Sequence, residues 1–183
     1  MSDYFTALDI DTITSLPLTL LGDPILRQLA QTVADPTASD IKILADAMVG
    51  TMMAANGVGL AAPQVGVSAR LFVYWVPKER GNISQDVAPT IIINPEIVPL
   101  SQEQEHDWEG CLSIPNLQGL VPRYRHIGWQ GYGLDGKIMA GEAKDFQARV
   151  MQHELDHLDG VVYLDRMTNL LSLGFVDVIK ARS

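Results

Sequence analysis

The sequence predicts an α+β fold, a single domain in which antiparallel sheets pack around a helix near the end of the chain. Segments rich in β-branched and aromatic residues occupy the middle of the chain, at 70–76, 90–94 and 120–146. A helical pattern returns only after them, near Asp145. Strands that precede a late helix are typical of α+β domains.

Length and charge limit the class of protein. A chain of 183 residues, 47% of them apolar and 19% charged, is long enough for one globular domain with its own core. The net charge of −9 argues against binding of nucleic acid or of anionic membranes. No apolar run reaches the roughly 18 residues that span a membrane, and the first residues contain acids but neither Lys nor Arg. We therefore expect a cytoplasmic protein with an N-terminal extension over residues 1–16.

The first predicted element is a helix after Pro36, where apolar residues recur at helical spacing. Thr37 or Ser39 could cap it, and Asn56-Gly57 is a stop signal. Strands are predicted at 70–76 and 90–94, joined by a polar, exposed loop. The helix pattern of the first element rests on Ile41, Leu44, Ala45, Met48 and Met52.

The second half of the chain is predicted to contain a hairpin and the late helix. Asp135-Gly136 is a hairpin turn signal within 120–146. Asp145 is a plausible cap for the helix that follows, which would place Phe146, Val150, His153 and His157 along one face. The last apolar segment, 169–181, fits either a strand or a short helix.

The late helix contains the pattern His-Glu-x-x-His, with histidines at 153 and 157. Residues four apart lie one turn apart on the same helix face, so both imidazoles can bind one metal ion. Glu154 between them can serve as a general base. The alternative is a surface helix with two chance histidines, but the helical context and the embedded glutamate favour a metal site.

A catalytic site of this kind needs a third protein ligand. No glutamate follows His157, and Tyr163 stands where a longer motif would place a third histidine, so two common solutions fail. Asp165 and Asp177 remain without support, and Asp159 would point off the ligand face. The upstream candidates are Cys111, a soft ligand, His106 and His126; a buried inert cysteine is the competing interpretation of Cys111.

A glycine-rich stretch, 57–66, offers a second kind of site. Its small residues would let a peptide backbone approach closely, and Gln64 supplies the one side-chain amide donor there. A tight turn between the first helix and the strand at 70 is the simpler interpretation.

Three motifs in order resemble those of the peptide deformylase family: a G-φ-G-φ-A-A-x-Q loop, an E-G-C-φ-S segment and a Q-H-E-x-D-H helix. Segments 22–28 and 93–97 are also similar to the family, and the resemblance covers roughly residues 17–167. It implies a catalytic domain over 17–183 and favours Cys111 as the third ligand. The three motifs are Gly57-Val58-Gly59-Leu60-Ala61-Ala62-Pro63-Gln64, Glu109-Gly110-Cys111-Leu112-Ser113 and Gln152-His153-Glu154-Leu155-Asp156-His157.

The resemblance implies a metal-dependent hydrolase that removes the N-formyl group from the N-terminal methionine of new polypeptides. One divalent ion, usually Fe(II) in the family but also zinc, nickel or cobalt, would be held by Cys111, His153 and His157. Glu154 would take a proton from the metal's water, and the Gln64 amide and the Leu112 backbone N–H would stabilise the oxyanion. Substrate would be bound by the Val58-Gly59 backbone and by a pocket that includes Phe146 and Val150.

The resemblance implies nascent N-formylmethionyl peptides as partners, and it leaves transient contact with the ribosome open. We expect binding neither to nucleic acid nor to a membrane. Glu109 and Arg123 are expected to pair and brace the cysteine loop. Two other functions remain to be weighed. A general metallopeptidase is disfavoured by the missing downstream glutamate, and a non-catalytic metal or peptide binder would need neither Glu154 nor Gln64.

Overall fold

The computed structural model describes residues 15–81 and 85–181. The predicted N-terminal extension, 1–16, lies outside these residues except for its last two. The helices are α1 (Ser39–Ala54), α2 (Lys78–Gly81), α3 (Asp145–Leu158), α4 (Tyr163–Arg166) and α5 (Val176–Lys180). The strands are β1 (Gly59–Ala61), β2 (Leu71–Val76), β3 (Val87–Pro99), β4 (Gln104–Cys111), β5 (Ile114–Tyr124), β6 (His126–Tyr132), β7 (Ile138–Lys144) and β8 (Gly174–Phe175).

The strands form two sheets in which every neighbouring pair is antiparallel. One sheet has the order β1-β2-β3-β6-β7 and the other has the order β4-β5-β8. Helix α3 lies between the sheets, in contact with β1 and β2 on one side and with β5 on the other. The predicted α+β class, with antiparallel sheets around a late helix, is confirmed.

Three apolar clusters hold these layers together. The first joins α1 to β1 and β2, and the second joins α3 to the five-stranded sheet. The third packs β5 against α4 through Val121 and Tyr163. Burial of β-branched and aromatic side chains on both faces of β2 explains its continuous apolar sequence.

Neither α1 nor α3 is capped by a residue that the sequence predicted as its cap. Helix α1 begins after Ala38, and the Thr37 hydroxyl donates to Asp35 at 2.7 Å instead of capping the helix. Helix α3 begins after Lys144, so Asp145 is its first residue and not its cap. The Arg125 guanidinium donates a hydrogen bond to the Asp145 carboxylate at 2.6 Å. In each case a nearby partner competes with the helix N–H groups for the side chain.

The strand prediction was incomplete between the two halves of the chain. The loop expected after 76 contains the short helix α2, and β3 begins before 90, at Val87. Strand β4 was not predicted, because one polar residue follows another in QEHDWEGC and most of it is exposed. Leu112 and Ser113 form the turn between β4 and β5.

The remaining elements agree with the predictions made from the sequence. Strands β6 and β7 form the predicted hairpin, with Gly136 at φ +72° in its turn. The undecided last segment contains both alternatives, strand β8 and helix α5. Among the described residues, no helix combines the length and apolar character that crossing a membrane requires.

Candidate active site

The three predicted ligand atoms converge beside α3. Cys111 ends β4, and His153 and His157 lie one turn apart on α3. The Cys111 Sγ lies 3.2 Å from the His157 Nε2, and the thiol and one nitrogen from each ring all lie within 4.8 Å of one another. A sulfur and two imidazole nitrogens at this separation can share one ion.

A buried carboxylate orients one of these rings. The His153 Nδ1 lies 2.8 Å from Glu109, which leaves the Nε2 of that ring free for a ligand. Glu109 also accepts hydrogen bonds from Arg123, at 2.9 and 3.0 Å, and from Arg149, at 2.8 Å. The predicted pairing of Glu109 with Arg123 is therefore present. Burial alone would raise the pKa of Glu109, but the His153 bond and the Arg123 charge hold that pKa well below its usual range.

The two ligand histidines have opposite electrostatic environments. Burial opposes the charged form of His153, yet hydrogen bonding to Cys111 and Glu109 raises its pKa well above the usual value. Burial and the nearby His153 lower the pKa of His157. A divalent ion requires both nitrogens deprotonated, so its binding at this site would displace a proton from His153.

Glu154 sits in the same pocket as a carboxylate prepared to accept a proton. It is 3% exposed, and its Oε2 has no hydrogen-bond partner among the described residues. Burial raises its pKa to about 7. Its side chain lies against Gly59, where an added Cβ would be 2.1 Å from the Glu154 Oε1. A base with a pKa near the working pH is well suited to proton transfer.

The side-chain amide of Gln64 points its NH2 group at the thiol. Its Oε1 accepts the Ala61 N–H at 2.8 Å, which fixes which end of the amide faces the site. The Nε2 then lies 3.2 Å from the Ser113 Oγ and 3.4 Å from the Cys111 Sγ. Leu112, whose N–H was the other predicted oxyanion donor, lies between Cys111 and Ser113 in the β4–β5 turn.

Strand β1 has an open edge. It pairs with β2 on one side and has no strand on the other within the described residues. The Trp75 N–H donates to the Val58 carbonyl at 3.0 Å, so that carbonyl is directed toward β2. By the alternation of an antiparallel ladder, Gly59 directs its N–H and C=O to the opposite edge. Gly59, one of the two residues predicted to pair with substrate, therefore has its N–H and C=O available at the open edge.

A cleft of about 470 Å³ joins these groups. Cys111, His153 and Glu154 line it, together with Val58, Gly59 and Gln64. Phe146 and Val150, predicted as pocket residues, also line it and pack in the same apolar cluster as Val58. These apolar side chains therefore lie in the same cleft as Cys111 and His153.

The alternative ligands lie elsewhere. His126 is paired with Glu142 at 2.8 Å, and His106 is exposed on β4. Asp159 binds Arg70 at 2.7 Å, and Asp165 binds Arg27. Asp177 is exposed on α5. Among the described residues, the one group of three or more Cys, His, Asp or Glu side chains that could hold an ion is Cys111, His153 and His157.

Several residues of the site were not singled out from the sequence. Arg149 is buried and donates to Glu109 and to the Val121 and Glu105 carbonyls. Asp156 accepts from Arg123 at 2.5 Å and extends the ionic network to Arg166. The Ser113 and Asp156 positions lie inside the quoted motifs, whereas nothing around Arg149 marks it as buried.

The donor set fits a divalent metal. A thiolate and two imidazoles suit a borderline-soft ion, and three protein ligands leave a fourth position. Cys111 and His153 both line the cleft, so an ion held by these residues would be accessible from it. Within residues 15–81 and 85–181 the Glu154 Oε2 has no hydrogen-bond partner, and a water held by such an ion would supply one.

Comparison with known proteins agrees with this geometry. The model of the polypeptide deformylase family matches residues 15–172. Peptide deformylase 1 of Bordetella pertussis is 46% identical over 160 residues, 87% of this chain and 91% of that protein. Peptide deformylase 1 of Nitrosomonas europaea is 42% identical over 164 residues, 89% of this chain and 93% of that protein.

Solved structures agree as well. The class I type b peptide deformylase from Acinetobacter baumannii with bound Met-Ala-Ser has a TM-score of 0.79 and 34% identity, over 85% of this chain and all of that one. Both the sequence match and the structural match extend over most of each chain. The chain therefore belongs to the polypeptide deformylase family.

Proposed function

We propose that this chain removes the formyl group from the N-terminal methionine of new polypeptides, with Cys111, His153 and His157 as ligands of one divalent metal ion. The observation that carries this proposal is the placement of Glu154. Glu154 lines one cleft with Cys111, His153 and the open edge of β1, and its Oε2 has no hydrogen-bond partner within the described residues. A site that only stored metal would have no use for a buried base of this kind.

The residues of this chain divide the work of an amide hydrolysis. When bound, the metal ion acidifies a coordinated water toward neutral pKa. Glu154 accepts a proton at its Oε2 as water attacks the formyl carbon, and it returns that proton to the leaving amine. The oxyanion that develops on the formyl oxygen accepts hydrogen bonds from the Gln64 Nε2 and the Leu112 N–H. Because the Gln64 Oε1 accepts the Ala61 N–H, the amide keeps its NH2 group on the side of Cys111.

Substrate orientation would come from β1 and the apolar wall. The substrate's first residue would add to the edge of β1 through the Gly59 backbone, as a short extra strand. Its methionine side chain would lie against Val58, Phe146 and Val150, which form the apolar side of the cleft. The Acinetobacter relative binds Met-Ala-Ser, a peptide that begins with methionine. This supports a peptide ligand of the same kind here.

The native metal is proposed to be Fe(II), with zinc, nickel and cobalt as ions the same ligands accept. Fe(II) beside a thiolate oxidises readily, so protein purified in air should lose activity that anaerobic purification retains. Metal analysis of both preparations tests this. We also propose that the protein acts in the cytoplasm, where nascent chains are made, and contacts the ribosome only transiently.

The direct test is formate release from a formyl-Met-Ala-Ser peptide. Anaerobically purified wild type should release formate, whereas Glu154→Ala should keep its metal and lose turnover by orders of magnitude. The same peptide without the formyl group is the control, because a general peptidase would cleave it. Wild-type turnover by Glu154→Ala, or cleavage of the unblocked peptide alone, would overturn the proposal.

A further inference from the structure

Residues 18–21 run between two parts of the site, and we call this segment the strap. The Thr19 N–H donates to the Gln64 carbonyl at 2.8 Å, and the Leu21 N–H donates to the Ser113 carbonyl at 2.8 Å. The strap therefore ties the Gln64 turn to the turn that follows Cys111.

These two turns carry the proposed oxyanion donors, yet no strand pairing joins them. Gln64 follows β1 in the five-stranded sheet, whereas Leu112 lies between β4 and β5 in the other sheet. The register of neither sheet can set the distance between these donors. Among the described residues, the hydrogen bonds between the two turns are the side-chain bonds of Gln64, at 3.2 and 3.4 Å, and each turn also accepts a shorter backbone bond from the strap, at 2.8 Å.

Leu16, which precedes the strap, anchors this part of the chain to the core. The Leu16 N–H donates to the Thr51 Oγ1 at 2.7 Å, and that hydroxyl donates to the Ala47 carbonyl within α1 at 2.8 Å. Both Leu16 and Thr51 are buried. Leu18 packs against the apolar cluster that also receives Leu112. The strap thus connects the donors to a rigid helix.

We propose that the strap is a positioning element, whose Thr19 and Leu21 N–H groups hold the Gln64 amide and the Leu112 N–H at the separation that the oxyanion requires. This inference rests on the proposed deformylase function. It assigns an effect on kcat to two residues that need not touch the substrate. Donors misplaced by about 1 Å can cost up to roughly 100-fold in rate.

Proline substitution removes one N–H at a time. Thr19→Pro and Leu21→Pro should each lower kcat about tenfold or more while metal content stays unchanged and KM stays within about twofold. Leu20→Pro is the matched control, because Leu20 is 52% exposed and its N–H has no acceptor among residues 15–81 and 85–181. Equal loss of kcat in the control, or no loss in the two variants, would refute the inference.

A double-mutant cycle separates positioning from folding. In a Gln64→Ala background the donor held by Thr19 is absent, so Thr19→Pro should change kcat by no more than about twofold. A purely structural role predicts the same fold-loss in both backgrounds, and that result would contradict the proposal. If a proline variant fails to fold, an ester in place of the amide at position 19 or 21 removes the same N–H without a ring.

One measurement remains informative whatever the activity. The side-chain amide protons of Gln64 should exchange slowly with D2O in the wild type, because Gln64 is 1% exposed. They should lose protection in Thr19→Pro but not in Leu20→Pro. A wild type that releases no formate would refute the proposed function alone, whereas unchanged Gln64 protection in Thr19→Pro would refute the strap.

Discussion

Replacing Gly59 by alanine should disable the site without touching a metal ligand. The new Cβ would meet three atoms of Glu154, its Oε1 at 2.1 Å, Cδ at 2.6 Å and Cγ at 2.8 Å. To restore ordinary contact, the carboxylate oxygen has to retreat by about 1 Å or more. Overpacking of this kind costs about 1–3 kcal/mol of stability, and a displaced base costs up to roughly 100-fold in kcat.

The assay compares formate release, metal content and urea unfolding for wild type, Gly59→Ala, Glu154→Ala and the double variant. Glu154→Ala removes all three clashing atoms, so Gly59→Ala should destabilise the wild type but not the Glu154→Ala protein. Metal content should be equal in all four. A Gly59→Ala enzyme with wild-type kcat, or equal destabilisation in both backgrounds, would refute the reasoning.

Three further predictions concern the charged groups of the site. In metal-free protein the pKa of Glu154 is about 7 instead of 4.5, so its contribution to stability is full below pH 4.5 and is lost as pH rises through 7. Relative to Glu154→Gln, the wild type should lose about 3 kcal/mol across that window, measured by urea unfolding at several pH values. Glu109→Gln leaves Arg123 and Arg149 without their shared carboxylate, and should cost about 3–5 kcal/mol of stability and 10- to 100-fold in metal affinity. Urea unfolding and metal titration would measure these losses, and wild-type values in both would contradict the network. Cys111→Ser replaces a thiolate by a hydroxyl that stays protonated, so metal affinity should fall about tenfold or more in the same titration.

Local patterns of the sequence were sufficient for the elements whose side chains alternate or recur regularly. Strand β2, the β6–β7 hairpin and helix α3 all follow from apolar spacing and turn residues. Strand β4 did not, because its exposed face removes the apolar alternation on which a prediction depends. The predicted caps of α1 and α3 were also wrong. The Thr37 hydroxyl is bonded to Asp35, and the Asp145 carboxylate is bonded to Arg125.

The sequence by itself determined the pair of histidines and the glutamate between them, because a separation of four residues on a helix is a local geometry. Only the tertiary structure decided which distant group joins them. Cys111 lies 46 residues from His157 in the chain, and the packing of β5, the partner of β4, against α3 brings its Sγ to 3.2 Å from the His157 Nε2. The contact of Gly59 with Glu154 and the burial of Arg149 likewise depend on how the two sheets pack around α3, and no spacing along the chain encodes that packing.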